Sequence, residues 1–155
     1  MGWIVAELVR ASRARIRQAE SRDMAAVESW RAVHFAEMAA RGSRREVLGQ
    51  TDFSTAAWVV YTDAQDRAIA AMGFRDEGKV RWVTDLYAVS GKAGLRGGMI
   101  LGALVEEMSD RDGYEIRGST DPENTDYLQH LLRRGYEIVS VEFRRVARVN
   151  REECR

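Results

Sequence analysis

The chain has 155 residues, 45% of them apolar, a length that supports one domain with a real core. Its 24 lysines and arginines balance 24 aspartates and glutamates, which excludes a general nucleic-acid or polyanion binder, since that needs a basic surplus. One cysteine, Cys154, excludes an intramolecular disulfide, His34 and His130 add no metal-ligand cluster, and no apolar run is long enough to span a membrane.

Residues 1–13 form the first part: Trp3, Ile4, Val5, Leu8 and Val9 fall on one side of a short helix that must dock on its own domain or in an oligomer contact. Glu7 and Arg10 interrupt this opening, so it does not read as a secretory signal, and the expected location is the cytoplasm. Residues 14–150 form the main domain and 151–155 a tail. The domain starts with a short strand over 14–20, anchored by Ile16, and a helix over 24–41 whose N-cap chemistry comes from Ser21 and Asp23 and whose stop is Gly42. A polar segment, 43–54, holds at most one further short helix. Strand-like runs follow over 56–62, 68–74 and 80–89, joined by short polar turns, which predicts an antiparallel meander.

Residues 83–109 read as a strand, a glycine-rich turn and an amphipathic helix. Along the strand Val83, Asp85, Tyr87 and Val89 alternate with Thr84, Leu86 and Ala88. Gly91, Gly94, Gly97 and Gly98 follow. From Met99 onward Ile100, Leu101, Leu104, Val105 and Met108 make one helical stripe. A glycine turn feeding a helix N-terminus can hold a phosphate, and it can equally be a plain strand-to-helix connection. A strand over 114–119, a helix carrying Tyr127, Leu128, Leu131 and Leu132, and a last strand over 136–149 complete the chain. The layout is α+β: a mixed, mostly antiparallel sheet with helices on both faces. A parallel crossover set beside an antiparallel meander implies a central splay, whose unpaired backbone groups can bind an extended ligand.

This element order resembles the GCN5-related N-acetyltransferase (GNAT) superfamily over nearly all of the chain after about residue 14. Two patterns carry the resemblance. In the family a strand-ending Val is followed, five residues on, by Gln/Arg-x-x-Gly-x-Gly/Ala; here Val89 precedes Gly94-Leu95-Arg96-Gly97-Gly98-Met99. Gly97 matches, while Gly94 replaces Gln or Arg and Met99 replaces Gly or Ala. The second pattern is a Pro-Glu-Asn followed by a helix ending in Gly-Phe. Pro122-Glu123-Asn124 and Gly135-Tyr136 stand there, with Leu131 where the family has its general-acid tyrosine. Within the superfamily, Trp82-Val83-Thr84, Ser90-Gly91-Lys92-Ala93, the opening ARIRQAESRD and Leu131 are similar to the GNAT-like internal virion proteins of short-tailed bacteriophages.

The resemblance implies acetyl-CoA as cofactor and a small amine or a protein amino group as acceptor. It implies that Val89 and the backbone of Leu95, Arg96, Gly97, Gly98 and Met99 hold the pyrophosphate, with charge from Arg96 or Lys92. Asn124 would bond the pantetheine or cap the following helix. Asp85, on the side of Val83, is the candidate base; its alternative is an ion pair with Arg81 or Arg117. Tyr127, one turn before Leu131, is a weak candidate acid. Two readings stand open. One is an acetyl-CoA-dependent N-acyltransferase. The other is a non-catalytic GNAT-fold structural or interaction protein, such as a component of a phage interior, with a homo-oligomer or virion proteins as partners.

Overall fold

The computed structural model describes residues 15–43 and 56–139. In chain order these form β1 (Ile16–Gln18), α1 (Ser21–Ala40), β2 (Ala57–Thr62), β3 (Ala68–Glu77), β4 (Val80–Ala88), α2 (Lys92–Asp112), β5 (Glu115–Gly118) and α3 (Thr125–Arg133). The helix expected over 3–14, the segment 44–54, the tail, and the last strand from residue 140 onward lie outside the described residues. Residues 136–139, within them, carry no strand. The chain divides into two compact units, Met1–Glu123 and Asn124–Arg155.

In the first unit the five strands lie in the order β1-β2-β3-β4-β5. Neighbours from β1 to β4 are antiparallel and β5 runs parallel to β4, the mixed sheet expected. Alternation sends Val59 and Tyr61 to one face of the sheet and Trp58 and Val60 to the other. On the first face Tyr61, Ala70 and Met72 pack with Ile100, Leu101 and Val105 of α2. On the second Trp58, Val60 and Ala71 pack with Val27 of α1, flanked by Met24 and Trp30. Each such aliphatic side chain contributes roughly 1.5–3 kcal/mol when fully buried. These two seams therefore hold the helices on opposite faces.

The expected side assignment along β4 fails at a β-bulge. Gly73 pairs with Asp85 but Phe74 pairs with Val83, which leaves Thr84 as an extra residue. A bulge sets two residues against one and reverses the alternation beyond it. Val83 therefore packs with Leu86 and Ala88 on the α2 face. Tyr87 joins the α1 seam, and Asp85, which accepts the Tyr87 hydroxyl, lies on that side with it. Gly73 makes room for the bulge: a Cβ there would sit 2.8 Å from both Thr84 Oγ1 and Trp58 Cζ2.

The splay is visible in the register. Pairing of β4 with β5 covers Val80–Val83 against Glu115–Gly118 and stops, while β4 runs on to Ala88. Beyond Val83, β4 has β3 on one edge and no strand on the other among the described residues.

The start of α1 is tied to β1 and to the β2–β3 turn by charge. Glu20, not Ser21, is the N-cap, and Asp23 closes a capping box by accepting the Glu20 amide at 2.8 Å. Arg17 on β1 grips Asp23 at 2.7 Å and Asp66 at 2.9 Å. At the far end of the sheet the buried Arg81 holds Asp76 through two 2.8 Å contacts. Burial pushes the Asp23 carboxyl up, but the Arg17 guanidinium and the Glu20 amide outweigh it, and the group titrates below the usual range. The Arg81 guanidinium likewise holds Asp76 low. Both carboxylates bind fewer protons folded than unfolded. Their stabilisation is present above the unfolded value, about 3.9, and is lost as pH falls through the folded one. Urea midpoints are therefore expected to drop below about pH 4. Asp23→Asn is expected to lower stability at pH 7 and to flatten that acid slope; an unchanged slope would remove Asp23 from it.

Candidate functional site

The end of β4 and the start of α2 meet at a short turn, Val89–Ser90–Gly91. The Val89 amide donates to the Ile69 carbonyl at 3.0 Å, so the β3–β4 ladder extends this far. Gly91 then adopts a φ of 97° as the N-cap of α2, a left-handed conformation that favours glycine. The helix therefore begins at Lys92 rather than near Met99. The Leu95 amide already donates to the Gly91 carbonyl, at 3.1 Å. The amides without a carbonyl one turn behind them are those of Lys92, Ala93 and Gly94; those of Leu95 to Met99 lie within the helical ladder.

This early onset explains two of the glycines. A Cβ on Gly94 would lie 1.7 Å from the Val89 carbonyl oxygen, so the first helical turn rests directly on the strand end. No side chain fits there, which accounts for glycine where the family pattern has Gln or Arg. A Cβ on Gly97 would meet Ala70 Cβ at 2.9 Å and Tyr61 Cδ1 at 3.1 Å, so Gly97 lets α2 press onto the sheet. Gly98 is looser, with Leu86 Cδ1 at 4.0 Å the nearest atom. Leu95 and Met99, at 69% and 46% exposure, face outward, and Val89 is also exposed. Lys92 and Arg96 are exposed on the same first turns.

On the α1 side, Trp30, Val33, His34 and Glu37 share a helix face at i, i+3, i+4 and i+7. They form one wall of a cleft of about 310 Å³; Tyr87, Ser90 and Gly91 stand across it. The His34 ring lies 5.8 Å from that of Tyr87. The Tyr87 hydroxyl donates to Asp85 at 2.9 Å. Burial first, then the charge and hydrogen bond of Asp85, push the Tyr87 phenol well above its ordinary range, against a smaller opposing pull from Arg31. Tyr87 is thus a neutral donor, lining the cleft and bonded to Asp85. Arg31 stacks over the Phe35 ring at 5.1 Å and lies 3.6 Å from Glu28. Arg81 pairs with Asp76, at 2.8 Å, and Arg117 with Glu115, at 2.6 Å.

The cleft thus joins Tyr87 to Ser90 and Gly91, which lead into α2. It adds Trp30, His34, Glu37 and Tyr87, which were not singled out from the sequence as site residues. The available signals were the four-residue spacing on α1 and the i, i+2 pairing of Asp85 with Tyr87; neither is distinctive before the two elements are brought together.

Asn124 and Tyr127 belong to the second unit. Asn124 is the N-cap of α3 and makes no side-chain cap bond, so capping is not what its amide does. The Tyr127 ring stacks on His130, centroids 6.4 Å apart. Leu131 is half-buried.

No family model matches the sequence, and no curated protein does. Solved structures do. A mutant of the BH1408 protein from Bacillus halodurans superposes with a TM-score of 0.66 at 14% identity, over 85% of this chain and 98% of that one. An acetyltransferase of the GNAT family from Staphylococcus aureus Mu50 gives 0.59 at 10% identity, over 77% and 82%. The aminoglycoside N-acetyltransferase AAC(6')-Iy, in complex with CoA, gives 0.53 at 18% identity, over 86% and 94%. The fold is therefore that of the GNAT acetyltransferases, with the open mixed sheet derived above.

Proposed function

We propose that the chain transfers an acetyl group from acetyl-CoA to the nitrogen of an amine held in the cleft between α1 and the end of β4. The observation that carries this reading is one cleft lined both by Tyr87, whose hydroxyl donates to Asp85, and by Ser90 and Gly91, the N-cap of α2. The residues present suit a diphosphate: three amides open at the helix start, Lys92 and Arg96 exposed beside them, and nothing within 4 Å of a Cβ placed on Gly91. Acetyl-CoA supplies the acetyl group as a thioester: the C–N bond forms, the C–S bond breaks, and the sulfur leaves as a thiolate that takes its proton from water. Asp85 accepts the proton that the amine gives up, and Tyr87 fixes the carboxylate through its hydroxyl.

Calorimetric titration with acetyl-CoA tests this. Binding in the micromolar range is expected, weakened about tenfold or more when Lys92 and Arg96 are both replaced by glutamate, because the reversed charges oppose a diphosphate. These exposed positions leave the fold intact, whereas a substitution at Gly97 strikes the packed helix–sheet seam. No heat at millimolar ligand would overturn the reading. It would then favour the second one, a non-catalytic GNAT-fold interaction protein such as a phage internal component. The outward-facing Leu95 and Met99 at the mouth of the helix support that second reading, which requires a defined oligomer or a co-sedimenting particle.

A further inference from the structure

Tyr87 is bonded on two sides. Its hydroxyl donates to Asp85 at 2.9 Å, and its oxygen accepts a hydrogen bond from Arg31 of α1. Arg31 is itself held. Its side chain is 12% exposed and lies 3.6 Å from Glu28, one turn earlier; its guanidinium stands over the Phe35 ring, one turn later, 5.1 Å from the centroid. A line of contacts therefore runs from Glu28 through Arg31 and Tyr87 to Asp85, from helix to sheet. Trp30 packs in the same seam as Tyr87, and the His34 ring lies 5.8 Å from it, so a full turn of α1 meets this tyrosine. A phenol has one proton to give and two lone pairs that accept. With a guanidinium donating to the oxygen, the proton is directed at Asp85. Arg31 does not line the cleft, so it reaches the reaction only through Tyr87. We propose that Arg31 is a positioning residue for acetyl transfer: it fixes the direction of the Tyr87 hydroxyl and so the orientation of Asp85. This rests on the acyl-transfer reading for the role of Asp85, and on the contacts between α1 and β4 alone for the link from Arg31 to Tyr87. Asp85 has other contacts as well, so loss of Arg31 misdirects the carboxylate without releasing it.

Two measurements test this. The first needs no ligand. With the tyrosine Cζ carbons labelled with carbon-13, the NMR signal that disappears in Tyr87→Phe reports the Tyr87 hydroxyl. That signal is expected to move in Arg31→Met, which keeps an apolar stem over Phe35, and to move less in Arg31→Lys, which keeps the charge and loses the planar fork. The remaining tyrosine signals, staying in place, show that the fold is retained; should Arg31→Met not fold, Arg31→Lys alone decides. A Tyr87 signal that stays put overturns the proposal. The second measurement is steady-state acetylation of the best amine of a panel. Arg31→Met is expected to lower kcat about tenfold with little change in KM, and Arg31→Lys to recover part of the loss. In a Tyr87→Phe background Arg31→Met is expected to add less than about twofold, because the path to Asp85 is already cut. An unchanged kcat, a loss carried by KM, or the full tenfold loss in the Tyr87→Phe background overturns the positioning role. A parent protein that turns over no amine overturns the acyl-transfer reading and the positioning role with it, while a moved Tyr87 signal leaves the contact standing.

Discussion

Gly94→Ala is expected to destabilise the protein by about 3 kcal/mol or more, while Gly102→Ala on the same helix stabilises it. In an isolated helix both changes would gain about 1 kcal/mol, because alanine is the better helix former. The surroundings decide the sign. At Gly94 the new Cβ would fall 1.7 Å from the Val89 carbonyl oxygen, and backbone cannot swing aside as a side chain can. Overpacking commonly costs about 1–3 kcal/mol, and this case lies at or beyond the upper end. At Gly102 a Cβ would meet nothing within 4 Å, so only the propensity gain remains. Gly97→Ala falls between, since Ala70 and Tyr61 can each give slightly. For a chain of this size, melting temperature is expected to fall by roughly 6–12 °C for Gly94→Ala and to rise by a few degrees for Gly102→Ala. A Gly94→Ala protein as stable as the parent would mean that α2 does not begin on the end of β4.

Asp85→Asn is expected to lower kcat/KM for amine acetylation by about 10²–10⁴-fold with little change in melting temperature. Asparagine keeps the oxygen that accepts the Tyr87 hydroxyl and keeps the volume, so the α1 seam is preserved. It loses the basicity that the proposed role requires. An amine panel assayed with acetyl-CoA measures this, and unchanged turnover would remove Asp85 from the mechanism. Tyr87→Phe is the companion: it takes away the hydroxyl that orients Asp85 and leaves the carboxylate, so its loss should be the smaller of the two.

These predictions rest on features that differ in how far the sequence reveals them. The meander was readable because β2, β3 and β4 are apolar runs separated by Asp-, Gly- and Arg-rich turns, whose chemistry is local. The parallel position of β5 followed from a helix intervening between two strands. The start of α2 was not readable. The run from Gly91 to Gly98 looks like a loop by propensity, yet from Lys92 it is helical. Contact with Val89, Tyr61 and Ala70 rewards a close approach that only glycine permits. Propensity counts glycine as a cost and has no access to that gain.

The bulge at Thr84 is the other instance. Period-two alternation placed Asp85 with Val83, and the extra residue moved it to the opposite face, beside Tyr87 and α1. That single residue carries the candidate base from the α2 face to the α1 face.

What the sequence by itself determined was the order and type of the described elements, because hydrophobic period and turn residues act over a few residues at a time; the GNAT-like fold was what the resemblance in the Val89–Met99 and Pro122–Tyr136 patterns implied. What only the tertiary structure decided was the site. The pairing of Asp85 with Tyr87, the approach of His34 and Glu37 from α1, and the helix start at Lys92 depend on register and on packing between segments 57 residues apart, from Trp30 to Tyr87. Those contacts form when the sheet and its two helices bury their seams against each other.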